Sequence, residues 1–230
     1  MIISSWLIQA CLATASLLML IPYYVAFKGG HEQYMADKLD MAGNSKYKSM
    51  YYSGFLISMI WYVMPFLEQP RLRLNIFSLF SNKELLIENS IYCMAFIAFI
   101  LYFMFAWGTV VVKRNLSATK DRFLHPSELI TDGPYAKVRN PMIIGDLFGH
   151  LGFILLLGGI HTLCFYIIYI CINVAIVYIE NKYSICVHFK DEYAEYAKRT
   201  PAFMNRELWI FALVYFVLII INIVLTIVHT

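Results

Sequence analysis

The sequence predicts an all-α fold: a polytopic integral membrane bundle of about six transmembrane helices. Composition is the first reason. Of 230 residues, 60% are hydrophobic and only 14% charged, where a soluble domain carries about a quarter charged. Periodic apolar runs are the second. Several are long enough, at 1.5 Å per residue, to cross a hydrocarbon core of about 30 Å. The distribution of basic residues is the third, since Lys and Arg collect in alternate connections.

The first apolar run is Trp6 to Phe27. No basic segment precedes it, so it is expected to be retained as a span rather than cleaved. Lys28 to Ser49 is polar and reads as a loop with room for a short helix. Met50 to Leu67 is a second, shorter, aromatic-rich span ended by Glu68-Gln69-Pro70. Arg71 to Leu86 reads as interfacial or loop, because Arg71, Arg73 and Lys83 interrupt it. Ile91 to Val112 is a third span. Lys113 to Asn140 is the longest basic connection. Met142 to Ile160 and Thr162 to Ile179 form an antiparallel helical hairpin around the uncharged turn Gly158-Gly159-Ile160-His161. Glu180 to Arg206 is charged and largely helical. Thr200-Pro201 ends that helix, since the residue before proline avoids the α region. Leu208 to Val228 is the sixth span.

With both termini on the non-cytoplasmic side, 15 of the 18 Lys and Arg residues fall in cytoplasmic connections. That orientation places the connection 113–140 and the segment 180–206 at the same end of the hairpin. The chain divides into a three-span region 1–112, a central region 113–206 and a terminal helix 207–230. A net charge of +3 gives no case for nucleic-acid binding. The cysteines (Cys11, Cys93, Cys164, Cys171, Cys186) lack ligand spacing, so no metal site is expected.

The most structured polar stretch is Asp132-Gly133-Pro134-Tyr135-Ala136-Lys137-Val138-Arg139-Asn140-Pro141. Gly133-Pro134 sets a turn, and Pro141 suits a first helical turn, where its missing N–H is harmless. Arg139 is then held beside a helix start, whose unpaired N–H groups attract carboxylates or phosphates. A basic loop of this kind also serves simply to orient a membrane protein. Within the next span Asp146 and His150 share a face at i, i+4, and ionisable groups at membrane depth invite a functional explanation. Mutual satisfaction of a structural pair is the alternative. Gly145 and Gly149 fit close helix packing. Phe189, Tyr193 and Tyr196 fall on one face of an amphipathic segment, the pattern of a helix lying on lipid head groups with aromatic anchors.

Gly133 to Gly145, then a hairpin, then Glu180 to Pro201 give Gly-Pro-Tyr-x-x-Val-Arg-Asn-Pro-Met-x-x-Gly followed by Glu…Phe-x-x-Glu-Tyr-x-x-Tyr-x-x-Arg-x-Pro. This order resembles the isoprenylcysteine carboxyl methyltransferase family and the related phospholipid N-methyltransferases. Pro126 to Thr131 is similar to that family's lead-in. The resemblance covers the C-terminal 90 residues or so. It implies a membrane enzyme that takes S-adenosyl-L-methionine into the open end of the hairpin. Arg139, Asn140 and Pro141 would form one wall and Glu180 the other, with Tyr135 and Tyr196 contributing and Arg139 and Glu180 the catalytic pair. Three positions depart from the family pattern: Ile143 stands for a tyrosine, Asn181 for an acidic residue and Lys190 for a glycine. The spacing from Glu180 to Phe189 is also one residue longer than the common form.

Methyl transfer is an in-line displacement that needs positioning more than a strong acid or base. The implied acceptor is lipophilic or prenylated and enters from the bilayer. A carboxylate acceptor, needing only orientation by Arg139, is favoured over an amine, which must first lose a proton to a base such as Glu180. Two other readings stand beside this one: a membrane reductase using NADPH, since sterol reductases have a similar Gly-Pro…Arg-x-Pro loop, and a non-enzymatic scaffold with a degenerate site. The topology is tested by labelling. A cysteine introduced as Ser117→Cys should react with an impermeant reagent only from the cytoplasmic side, and one at Thr230→Cys only from the opposite side. Labelling of the 117 site from outside alone would contradict the assignment.

Overall fold

The structure, a computed structural model, describes residues 2–36, 41–72, 86–118 and 126–228. Among these residues all regular elements are helical, and a lone bridge pairs Arg71 with Gly159. Most of the segment 71–86, expected to be interfacial or loop, lies outside the described residues.

The first helix has three parts: α1 (Ile2–Ala15), a 3-10 turn (Ser16–Met19) and α2 (Leu20–Met35). Pro22 accounts for the tightened turn. Its ring opposes the carbonyl four residues back, at Leu18, inside that turn. α2 continues beyond Phe27, and α3 (Met41–Ser58) begins before Met50, so both ends of the expected 28–49 loop are helical. Tertiary packing explains the extension. The Tyr47 ring fills the space beside Gly29, and Tyr23 does the same beside Gly54. α4 (Ile60–Val63) leads into a 3-10 turn (Met64–Phe66) containing Pro65, after which the chain becomes extended at Leu67.

The third helix is α5 (Leu86–Ile100), a π-helical segment (Leu101–Trp107) and α6 (Gly108–Ala118). A single turn, α7 (Pro134–Lys137), precedes the hairpin of α8 (Pro141–Leu157) and α9 (Ile160–Glu180). α9 passes through a second π-helical turn (Asn181–Ile185) into α10 (Cys186–Arg199), and α11 (Arg206–Val228) ends the described chain. Four helical stretches are long and apolar enough to cross a membrane: Ser5–Met35, Cys93–Arg114, Ile160–Arg199 and Arg206–Leu225. Pro141–Leu157 is apolar but shorter. The second expected span is broken at Met59 and at the turn around Pro65.

α8 sits at the centre because one of its faces has almost no side chains. A Cβ on Gly145 would lie 2.8 Å from the Trp107 ring and 3.0 Å from the Phe103 carbonyl oxygen. A Cβ on Gly149 would meet Met104 at 2.3 Å, and one on Gly152 the Tyr215 hydroxyl at 2.9 Å. The glycines thus let the π-helical segment and α11 approach the α8 backbone. Phe103 stacks on Phe148 with ring centroids 4.8 Å apart, and Trp107 Nε1 donates to the Pro141 carbonyl at 2.6 Å.

The closed end of the hairpin is tied down by buried polar groups. Gly158 takes the left-handed conformation (φ 68°) that ends α8. Gln69 Nε2 donates to Met64 O at 2.9 Å, its Oε1 accepts from Thr162 N at 3.1 Å, and Gln9 Nε2 donates to Met64 O at 2.9 Å. Arg71 donates to the carbonyls of Leu157 and Leu67. These bonds satisfy helix-end carbonyls that lipid cannot. From the packing of α8, Gly145→Ala should lower stability by about 1–3 kcal/mol, because the added methyl meets the Trp107 ring and also the Phe103 carbonyl, a backbone atom that cannot give way. Unfolding in detergent measures this; an unchanged transition would contradict the close approach.

Candidate functional site

The chain passes Gly133 in a left-handed conformation (φ 57°), makes the single turn α7, and extends through Val138. This brings residues 139–140 alongside the segment that follows α10. Arg139 N donates to Pro201 O at 2.9 Å and Asn140 N to Ala202 O at 3.2 Å. The side chains repeat the join. Arg139 Nε donates to Thr200 O at 3.0 Å, and Asn140 Nδ2 to Ala202 O at 2.9 Å. Tyr196 Oη donates to Tyr135 O at 2.6 Å. Five hydrogen bonds therefore sew the loop to the end of α10. Exposed pairs of Lys137 with Glu207 and Arg114 with Asp132 flank the join and add little energy.

Between loop and helix lies a pocket of about 80 Å³. Tyr135, Arg139, Asn140, Pro141, Glu180 and Tyr196, the six residues singled out in the sequence, all line it. Pro126, Glu128, Leu129 and Ile130 close a second side, and Asn181, Ile185, Phe189 and Tyr193 a third. Two of the six also hold the join. The Asn140 amide and the Tyr196 hydroxyl are engaged in the join, so they shape the wall while other groups face its contents. Burial raises the Tyr135 phenol well above its ordinary pKa, so it stays neutral.

A relay not legible from residue types alone holds Arg139. Nη1 donates to Tyr193 Oη at 2.9 Å, and Tyr193 Oη donates to Asn181 Oδ1 at 3.0 Å. The guanidinium also sits 5.6 Å from the Tyr193 ring centroid. Asn181, where the family pattern has an acid, accepts the Tyr193 hydrogen bond at Oδ1 and completes the chain without charge. The same-face spacing of Phe189, Tyr193 and Tyr196 was the one sequence signal for this wall.

Two of the remaining departures have structural counterparts. The extra residue between Glu180 and Phe189 falls in the stretch that holds the π-helical turn Asn181–Ile185. A π turn takes up one residue without turning the following helix out of register. Lys190, at the position of a family glycine, has φ 32° and ψ −107° and kinks α10. A side chain is strained there.

A second cavity, about 300 Å³, adjoins the pocket and shares Met142, Ile143 and Glu180 with it. Its walls come from α2, α3, the Leu101–Trp107 segment, α6, α8 and α9. Asp146 lines it, accepting from Tyr169 Oη at 2.6 Å. His150 is buried, with Nδ1 at 3.2 Å from Asp146 Oδ1 and 2.9 Å from Asp146 O. Both side chains thus face the bundle interior. No group of metal-ligating residues occurs among the described residues.

The conformation at Lys190 gives a direct test. Lys190→Gly should raise stability by about 1 kcal/mol, since glycine adopts positive φ at no steric cost. A thermal shift of the purified protein measures it, and a loss of stability would contradict the strain.

Neither the curated proteins nor the solved structures contain a match to this chain. Residues 89–187 do match a protein-family model, that of the phospholipid methyltransferases. The match starts in α5, ahead of the expected boundary at 113. It runs through Arg139, Asn140, Pro141 and Glu180 and stops short of Tyr193 and Tyr196. Residues 89–187, which contain the hairpin and much of the pocket's lining, are therefore similar to the phospholipid methyltransferases, in a chain with four helical stretches long and apolar enough to cross a membrane.

Proposed function

We propose that this protein is a membrane-embedded methyltransferase that uses S-adenosyl-L-methionine and acts on a lipidic or prenylated acceptor. The observation that carries this reading is the pocket with Arg139 and Glu180 in one lining. Its donor set fits the cofactor. A guanidinium suits an amino-acid carboxylate, a carboxylate suits an ammonium or ribose hydroxyls, and Tyr135, Phe189, Tyr193 and Tyr196 offer aromatic surface for a base. The cofactor would supply an activated methyl group on a sulfonium.

The residues of the chain do the positioning. Arg139 is fixed by Thr200 O and Tyr193 Oη, and among the described residues its Nη2 has no protein bond, so it stays available to an anion. Glu180, at the last turn of α9, borders both the pocket and the neighbouring cavity. Met142 and Ile143 form the rest of that shared border. An acceptor held in the cavity and a donor held in the pocket therefore meet at one place, which supplies the proximity that displacement requires. The cavity lies among apolar helices, so the acceptor reaches it from the bilayer.

Arg139→Ala and Glu180→Ala should each weaken S-adenosyl-L-methionine binding at least tenfold, about 1.4 kcal/mol. Arg139→Lys should not restore it, because the donors of an ammonium all sit on one nitrogen, which cannot span the separate Thr200 and Tyr193 partners as Nε and Nη1 do and also reach a carboxylate. Lys46→Ala, on the surface of α3, should leave binding unchanged. Titration calorimetry on the purified protein reads all four. Parent-like binding by Arg139→Ala would return the loop to an orienting role, and binding of NADPH instead would favour the reductase.

A further inference from the structure

The first cations that follow two of the apolar helices meet at one point. The apolar run of α2 stops at Phe27 and that of α9 at Ile179, and the next cations in the chain are Lys28 and Lys182. We propose that Lys28, Lys182 and the phenols of Tyr24 and Tyr183 form a head-group site for a net-anionic phospholipid, and that a lipid held there braces one wall of the pocket. Tyr24, Lys28, Lys182 and Tyr183 line neither the pocket nor the larger cavity, so the site stands apart from the methyltransferase reading.

The four side chains come from two elements far apart in sequence. Tyr24 and Lys28 share a face of α2 at i, i+4, and Lys182 and Tyr183 belong to the π-helical turn Asn181–Ile185, which packs against α2. The tyrosine rings meet edge to face with centroids 5.9 Å apart. Lys28 Nζ lies 5.6 Å from the Tyr24 centroid, and Lys182 Nζ lies 5.3 Å from that of Tyr183. Both ammonium groups act on the Tyr24 hydroxyl, and Lys28 acts on that of Tyr183 as well, so the two cations converge on the tyrosine pair.

This arrangement suits a phosphate at the edge of the hydrocarbon. Each lysine supplies a point charge, each phenol can donate a hydrogen bond, and the rings provide the amphipathic surface that favours head-group depth. Tyr24 is 40% exposed and the Lys28 side chain 44%, so the site faces outward, where lipid lies. Lys28 has one ionic neighbour, Glu32 at 3.7 Å, whose side chain is 65% exposed; such a pair is weak and yields to a phosphate. A zwitterionic head group would carry an ammonium toward two lysines. A net-anionic one brings only the charge that they attract.

The site is joined to the pocket through the π turn. Asn181 and Ile185 line the pocket, while Lys182 and Tyr183, between them in the chain, face α2. Tyr183 also packs against the cluster that contains Tyr23, Ala26 and Phe27, and Tyr34 of α2 meets His188 at the start of α10, 4.5 Å between ring centroids. A phosphate bridging Lys28 and Lys182 therefore ties α2 to the wall that carries Asn181. Tyr24 and Lys28 precede the family-matched residues, so this device belongs to the N-terminal part of the chain.

The test places the full-length protein in nanodiscs of four parts phosphatidylcholine to one part phosphatidylglycerol, and mass spectrometry measures the lipid that stays bound on extraction. Phosphatidylglycerol should be enriched at least fivefold over its share of the disc. Lys28→Ala and Lys182→Ala should each bring enrichment below twofold, and Lys182→Arg should keep it. Lys198→Ala, which removes the same charge from the last turn of α10, should also keep it. No enrichment in the parent protein would overturn the proposal, as would equal loss in Lys198→Ala, the mark of a diffuse surface field. Displacement of the bound lipid by millimolar glycerol phosphate would overturn the bilayer source and point to a soluble phosphate. Hydrogen exchange reads the bracing. The amides of Asn181–Ile185 should exchange at least threefold more slowly in the mixed discs than in pure phosphatidylcholine discs, and Lys182→Ala should abolish that difference; equal exchange in the two discs would overturn the brace.

Discussion

The site depends on one join, the pairing of residues 139–140 with 200–202. Backbone and side chain of both Arg139 and Asn140 commit to the same three carbonyls. The hairpin α8/α9 alone would leave the loop free to swing, because α7 is a single turn with little burial of its own. With the join made, Arg139, at the entrance to α8, and Glu180, at the exit from α9, line one pocket despite the 40 intervening positions. Each bond in the join is worth about 1 kcal/mol net, but all lie within one short segment, so they form or break together.

The hairpin itself is held at both ends by different means. At the closed end, buried amides and Arg71 satisfy helix-terminal carbonyls. Along its length, the glycine face of α8 lets the π-helical segment of the third helix approach the backbone. The neighbouring face of α8, about 100° round the helix, carries Asp146 and His150 toward α9 and Tyr62. One helix thus places its close-packing glycines and its ionisable pair on adjacent faces.

Much of this was legible in the sequence. Apolar run length pointed to a helical membrane bundle, and the two proline-containing motifs marked the two stretches that line one pocket. The Gly158-Gly159 turn and the stop at Thr200 follow from local backbone chemistry. Other features depend on tertiary context. Residues 28–35 and 41–49 are polar, so their helices were hidden until Gly29 and Gly54 met Tyr47 and Tyr23. The structural commitments of Asn140 and Tyr196 involve carbonyls distant in sequence, which residue type does not reveal. The π turn after Glu180 shows why a one-residue difference in spacing need not disturb a site. The second cavity draws on five helices, and no local pattern announces it.

The account makes the pocket between the 133–141 loop and α10 a cofactor site, opening onto a membrane cavity through a border at Met142, Ile143 and Glu180. Determination of the structure with S-adenosylhomocysteine bound tests this most directly. The account predicts ligand density in that pocket, with its carboxylate on Arg139 and its sulfur at the shared border. Density elsewhere in the bundle, or a ligand whose sulfur points away from the cavity, would contradict it.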